Sequence, residues 1–522
     1  MIEVEVHQQL RAFLRSQAEP YWPHHLTMGR LVARALRLGR SALIQTGMPP
    51  VGFYGRHRLS YLVPILMWPS PAILVAPNSV QKRLELVEIP QLQEWIGTHK
   101  TIRTGDRWPG DDFPGLSIVS PEAWLSDRLY GIGQFPRGVP TILDCGDRLE
   151  QWVRQQLTIA LNENDWNQLL LARPDRAETI REVRVKLTHS LFQHPANPYQ
   201  CWLLDRTEQQ ILQDLLTALQ STPQTDPLAD SKPNTNPSLP DRWHLFWQQF
   251  PGNAQGQSRN SLLWAAIDRN LGQFTLCSGP LEVASTLSNI WSQQPVVLIG
   301  GALDLNSDAG IYRQKMGLED LTCVKFSLDR HHELIQLYLP DRIPMPNTRQ
   351  FQGVLLEQLR QLLGITASAK GLTVIVVDDV PLKTRIGSIL AAEFGSRVQV
   401  EKPPGDPQGI LIAGWDYWCD QQEFFPRPKL LAIATLPIPS LENPLVAGRV
   451  AYYKQQRQDW FRLYLLPTAL STLQQAIAPL RQSQGVVALL DNRVLHRTYG
   501  REVLAALSPH ARIDYLDITC FD

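Results

Sequence analysis

"SALIQTGMPPVGFYGRHRLSYLVP", residues 41–64, is the stretch that decides the fold. A short apolar run, Ala42-Leu43-Ile44, leads into Gly47, Gly52 and Gly55, and a second apolar stretch follows from Leu59 to Leu66. Strand, glycine loop and helix in that order aim backbone N–H groups at a polyphosphate. The spacing Gly47-x-x-x-x-Gly52 fits such a loop, yet Phe53 and Tyr54 stand where a lysine and a Ser/Thr are required. Pro49 and Pro50 have no N–H to offer an anion.

The rest of the chain extends the same α/β pattern. "GRLVARALRLG" has a helical period and stops at Gly39. "AILVAP" (72–77), "GLSIVS" (115–120) and "PTILD" (140–144) are short apolar runs, as expected of buried parallel strands. Then the character changes. Ile180, Val183, Leu187 and Leu191 repeat at helical spacing, and Thr207-x-x-Gln210 is a capping box ahead of Ile211, Leu215 and Leu219. These predict an all-helical insertion. "STPQTDPLADSKPNTNPSLPD" (221–241) is too polar to offset its ordering entropy and is expected to be a flexible linker. Five further strands follow: "PVVLIGG" (295–301), "GLTVIVVDD" (371–379), "GILIAG" (409–414), "KLLAIATLP" (429–437) and "GVVALLD" (485–491). They predict a second parallel sheet.

Bulk properties set the frame. A chain of 522 residues exceeds one core, and about three domains are expected. Fifty basic residues balance fifty acidic ones, which argues neither for nor against a nucleic-acid partner. The first twenty residues hold no apolar signal core, and no run reaches the ~18 apolar residues of a membrane span. Six scattered cysteines without a C-x-x-C pair read as reduced thiols, so a cytoplasmic protein without membrane contact is expected. His24-His25 and His331-His332 lack the helical partner that a metal site needs.

Two nucleotide-style α/β units around an insertion resemble a known family, the DinG/XPD-like superfamily 2 DNA helicases. "LLAIATLPIPSLENPLVAGRVAYYK" (430–454) carries the Leu-Pro-x-Pro and Asn-Pro-Leu run of that family. "FRLYLLPTALSTLQQAI" and "GVVALLDNRVLHRTYG" resemble the approach to, and exit from, its arginine-finger motif. "QFTLCSGPLEVASTL" (273–287) and "LSIVSPEAWLSDRL" (116–129) resemble the segments before its Thr-Ser-Ala-Thr and DEAH motifs. The resemblance implies two RecA-like (P-loop NTPase-like) parallel-sheet lobes. Lobe 1 is expected over residues 1–149, an all-helical insertion over 150–220, the linker over 221–241, the remainder of lobe 1 over 242–300, and lobe 2 over 301–522.

The family's catalytic positions are altered. Tyr61-Leu62-Val63-Pro64 matches the helix after its phosphate loop, and counting back puts His57 and Arg58 at the Lys and Ser/Thr positions. Counting forward from Gly47 puts Phe53 and Tyr54 there instead; neither register supplies the lysine. The nucleotide-binding candidates are therefore Gly47, Gly52, Gly55, Arg56, His57 and Arg58, with Arg56 or Arg58 as a surrogate phosphate contact. The DEAH position reads Asp144-Cys145-Gly146-Asp147, which leaves Asp144 as the remnant magnesium ligand or a strand-ending helix cap, and puts Cys145 in place of the base. "LIGGALD" (298–304) lacks the motif's hydroxyls, Asp416 stands in "GWDYWCD" (414–420), and Arg481 is the surviving arginine-finger candidate. Residues 48–143 contain no cysteine, so no iron–sulfur cluster is expected.

The implied function is a DinG-like helicase homologue with a degenerate ATP site and little or no hydrolysis. ATP with magnesium is its conceivable cofactor, and single-stranded DNA or a replication or repair protein its partner. Two alternatives stay open: an active ATP-dependent DNA helicase with unusual motifs, and a structural or interaction protein on a recycled helicase fold. The basic stretches "RALRLGR" (34–40) and "KTIRTGDR" (100–107) read as solvated faces, and most of the 15 tryptophans as packing.

Overall fold

The computed structural model describes residues 1–17, 22–47, 55, 57–144, 146–220, 239–250, 260–319, 321–328, 330, 333–367, 371–406 and 408–521. The chain forms two compact units: Met1–Glu150 with Ala284–Ile438 and Phe461–Asp522, and Gln151–Val283 with Pro439–Trp460.

In the first unit the chain lays down β1 (Ala42–Gln45), β2 (Ala72–Val75), β3 (Ile102–Thr104), β4 (Leu116–Val119) and β5 (Thr141–Asp144). It then leaves for the second unit, where β6 (Ile159–Leu161), β7 (Cys201–Leu203), β8 (Ser261–Asp268) and β9 (Gln273–Pro280) lie. On return, β10 (Val296–Gly300) and β11 (Thr322–Lys325) complete a seven-stranded sheet of order β11-β1-β10-β5-β2-β4-β3, parallel throughout. This is lobe 1. Its inner strands β1, β2, β4, β5 and β10 are buried along their whole length, because helices cover both faces. The helices His25–Leu38 and Arg58–Met67 close one face over Ala42, Ile44, Val297 and Ile299.

Lobe 2 is a second all-parallel sheet, built from β12 (Ile335–Tyr338), β13 (Leu372–Val376), β14 (Val398–Val400), β15 (Ile410–Ala413), β16 (Pro428–Ile433), β17 (Val486–Leu489) and β18 (His510–Ile513). The order is β14-β15-β13-β16-β17-β12-β18, with separate apolar cores on its two faces. The two RecA-like lobes expected from the sequence are both present.

Four expectations need correction. The insertion is not all-helical: β6-β9-β8-β7 form an antiparallel sheet under the helices Glu163–Ala172, Ala177–Gln193, Arg206–Gln220 and Asp241–Gln248. Residues 242–283 belong to that unit, and not to the remainder of lobe 1, because β8 and β9 pair with β7 and β6. Lobe 1 also runs beyond residue 300, since β11 pairs with β1. The capping box lies two residues earlier than Thr207-x-x-Gln210. Asp205 Oδ1 accepts from Glu208 N at 2.8 Å, and Glu208 Oε2 accepts from Asp205 N at 3.0 Å. The linker residues 221–238 lie outside the described residues.

Candidate nucleotide cleft

In open parallel sheets, ligands collect at the carboxyl ends of the strands. For lobe 1 those ends are Gln45 of β1, Asp144 of β5 and Gly300 of β10, with β10 between the other two. The helix Arg58–Met67 follows the glycine loop and is buried nearly all round, so residues at its start reach inward.

That start encloses Asp144. Tyr61 donates its hydroxyl to Asp144 Oδ2 at 2.9 Å, Arg58 Nε lies 3.4 Å from the same oxygen, and His57 Nε2 hydrogen-bonds Oδ1 at 3.0 Å. Asp144 is fully buried, Arg58 is 1% exposed and His57 4%. Burial by itself would raise the Asp144 carboxyl. The charge and hydrogen bond of His57, the Arg58 charge and the Tyr61 hydroxyl outweigh it and hold Asp144 well below the usual carboxylate range. Burial and the Asp144 charge push the Tyr61 phenol far up. Arg58 also faces Glu88 Oε1 at 3.7 Å, and its guanidinium packs where a side chain at Gly55 would stand.

Behind this group, His25 Nδ1 hydrogen-bonds Ser60 Oγ at 2.8 Å. Burial lowers the His25 pKa to about 3, with the charges of His57 and His24 adding to the effect.

The backbone is taken up as well. Thr46 N and Gly47 N donate to the carbonyls of Gly300 and Gly301, each at 2.8 Å, so the first two N–H groups past β1 face β10 and not an anion. Gly47 sits at φ +88°, where a Cβ would come 2.8 Å from the Phe326 carbonyl, so glycine is required there for packing. Asp147 accepts from Gly301 N at 2.8 Å and Ala302 N at 3.0 Å, tying β5 to the "LIGGALD" turn. Burial still raises its carboxyl.

In lobe 2, Arg481, Arg493 and Lys383 are each held by groups of their own lobe. Arg481 is not an arginine finger. Its buried guanidinium donates to the carbonyls of Glu333, Leu507, Ser508 and Pro509 at 2.8–3.1 Å and holds the end of its own lobe together. Arg493 is clamped on Asp491 at 2.6–3.0 Å. Lys383 meets Glu401 at 2.5 Å. Asp378, at the end of β13, is pushed up to about 6 by burial and by the charges of Asp416 and Asp379. Asp416, the position matched to the family's acid, is raised by burial and by Asp420. Arg148 of lobe 1 reaches Asp420 at 3.3 Å.

Among the sequence-derived site residues, the structure brings Gly55, His57 and Arg58 together with Asp144, and leaves Gly47 in a packing role. Gly52, Arg56 and Cys145 lie outside the described residues. Sequence reasoning missed Tyr61, Ser60 and His25, although a tyrosine and a serine inside an otherwise apolar helix were a visible signal of buried hydrogen bonding. Elsewhere, His194, Asp205 and Glu208 are near enough to hold a metal. Glu208 is occupied by the helix cap, and its Oε1 accepts from Ser190 and His194 at 2.9 Å each.

The comparisons agree with this architecture. The family model of the helicase C-terminal domain matches residues 427–510. The ATP-dependent DNA helicase YoaA of Escherichia coli is 23% identical over 252 residues, which make up 46% of this chain and 40% of that protein. YoaA of Haemophilus influenzae is 24% identical over 257 residues, with the same shares. The matched region thus spans about 40% of the length of these relatives. Among solved structures, apo XPD superposes with a TM-score of 0.58 at 13% identity, covering 93% of this chain and all of that one. Xpd4 of S. tokodaii does so with 0.58 at 11% identity, covering 94% of this chain and 100% of that chain. Motifs, relatives and fold converge on one likeness: the chain is similar to the DinG/XPD-like helicases of superfamily 2.

Proposed function

We propose that this protein binds nucleic acid on a helicase scaffold and does not turn over ATP. One observation carries the reading: the carboxylate at the magnesium position, Asp144, is closed in by His57, Arg58 and Tyr61 with no exposed surface. A magnesium-bound triphosphate needs that carboxylate open to water and ligand. The missing lysine, the altered base and the paired arginines of lobe 2 act in the same direction. A positioned base is worth roughly 10²–10⁴ in rate and an arginine finger roughly 10³–10⁵.

Support for nucleic acid comes from the family and from one strip of the second unit. The helix Pro444–Gln455 carries Arg449, Tyr452, Tyr453 and Lys454. Lys454 lies 5.3 Å from the centroid of the Trp460 ring, and Arg457 beside it is exposed. Cations interleaved with aromatic rings suit the phosphates and bases of a single strand. We take single-stranded DNA as the partner, in keeping with the relatives' name, and a replication or repair setting as part of the proposal.

The test is phosphate release by the purified full chain with magnesium and ATP, with and without single-stranded oligonucleotide, beside binding of labelled oligo(dT) across a salt series. No release, with affinity that falls as salt rises, is the expected result. Steady release that a single strand stimulates and a magnesium chelator abolishes would overturn it.

A further inference from the structure

β11 ends the lobe-1 sheet, and among the described residues its far side is an open edge. Phe326 N, just past β11, donates to Gln45 O of β1 at 2.8 Å. In a strand, alternate residues turn their backbone groups to the same side, so Thr322 and Val324 also face β1 while Cys323 and Lys325 turn theirs outward. Among the described residues no strand pairs with them. Edge strands are commonly guarded by a projecting lysine. Lys325 does not project, because its Nζ donates to the carbonyls of Asp304 and Leu305 at 2.8 and 2.7 Å.

A cavity flanks the strand on each face of the sheet. The larger, about 640 Å³, is walled by Leu43, Leu298, Leu318, Leu321 and Trp291, with Arg40 and Glu319 also lining it. The smaller, about 120 Å³, lies over Ile44 and Val324 and is lined by Arg34 and Arg40. Both arginines are exposed, and neither is ion-paired with a described residue, whereas Arg37 between them is held by Glu3 at 2.7 Å. The smaller cavity thus presents Arg34 and Arg40, while the larger, which Arg40 also borders, is mostly an apolar and aromatic wall.

We propose that the β11 edge accepts an extended segment of a partner protein as an eighth strand of the seven-stranded sheet, with an acidic residue and a bulky apolar residue adjacent in its sequence. Neighbouring residues of a strand point to opposite faces, so adjacency places the acid on the side of Arg34 and Arg40 and the apolar side chain toward the larger cavity, whose wall next to β11 is Leu318 and Leu321. Backbone pairing to Cys323 and Lys325 supplies affinity, and the two cavities supply selectivity. The edge lies outside the nucleotide cleft, so the proposal stands apart from the fate of ATP.

The test uses the full chain and a fluorescein-labelled decapeptide alternating Glu with Phe or Val, against an isomer of the same composition with its acids grouped at one end. Anisotropy is expected to show the alternating peptide bound about tenfold tighter or better. Arg34→Glu with Arg40→Glu should abolish that preference and its salt dependence, and Cys323→Pro should weaken binding by removing an outward N–H. Should Cys323→Pro fail to fold, the exposed arginine pair carries the test, with an unchanged thermal midpoint as its control. Equal binding of the two isomers, indifference to the arginine variant, or no binding up to millimolar peptide at low salt would each overturn the proposal. Self-association in sedimentation that Cys323→Pro abolishes would put a second copy of the chain on the edge and overturn the assignment to a partner.

Discussion

The carboxyl ends of the lobe-1 strands and the open flank of the same sheet treat their polar groups in opposite ways. At the strand ends His57, Arg58 and Tyr61 bond Asp144 in near-complete burial, and Thr46 and Gly47 give their N–H groups to Gly300 and Gly301 at the end of β10. Along β11, Arg34 and Arg40 stand exposed, and the backbone of Cys323 and Lys325 faces outward. A carboxylate this deeply buried is held cheaply only where internal groups supply the countercharge, since a lone buried carboxylate is costly. His57 and Arg58 supply it. An edge needs none, because water serves its groups until a strand arrives.

The sharpest way to break the comparison is to remove the buried anion. Asp144→Ala leaves Arg58 and His57 without their counter-charge and should lose about 3–5 kcal/mol in urea unfolding. In a cleft open to magnesium the same change would be neutral or stabilising, and that result would reverse the contrast.

Acid provides the next largest effect. The His25 pKa is lowered from 6.5 to about 3, so the unfolded chain binds the extra proton between those values. Stability from this group is therefore complete above pH 6.5 and falls on acidification, by about 2 kcal/mol at pH 5. His25→Gln should flatten the curve across that window. Asp144, held below its ordinary 3.8, adds further loss only under that pH. A smaller change, Tyr61→Phe, removes one donor to a charged acceptor and should cost about 1.5 kcal/mol by the same unfolding measurement. At the flank, Arg34→Glu with Arg40→Glu should stay within about 0.5 kcal/mol of the parent, because exposed, unpaired side chains contribute little to folding. A larger loss there would mean that the two regions are alike after all.

Much of the scaffold could be read directly. The runs "AILVAP", "GLSIVS", "PTILD", "PVVLIGG" and "GLTVIVVDD" all became buried parallel strands, since a strand covered on both faces must be apolar at every position. The strands that escaped notice are of another kind. β6 and β7 have three residues each, and β11 is half-exposed, so none carries a run long enough to stand out. β8 did show a period of two, buried at Leu263, Ala265 and Ile267, but it lies in the stretch the sequence assigned to the remainder of lobe 1, so its pairing with the insertion went unread.

By itself the sequence determined that two parallel-sheet lobes would form and that the glycine loop carries no lysine, because both follow from residue type and local spacing. Only the tertiary structure decided what surrounds Asp144. His57, Arg58 and Tyr61 lie 83–87 residues from Asp144 along the chain, and no local pattern records their meeting. Whether Arg481 would face a nucleotide or the carbonyls of its own lobe was likewise settled by packing. A charged side chain states what it can bind, and the fold around it states what it does bind.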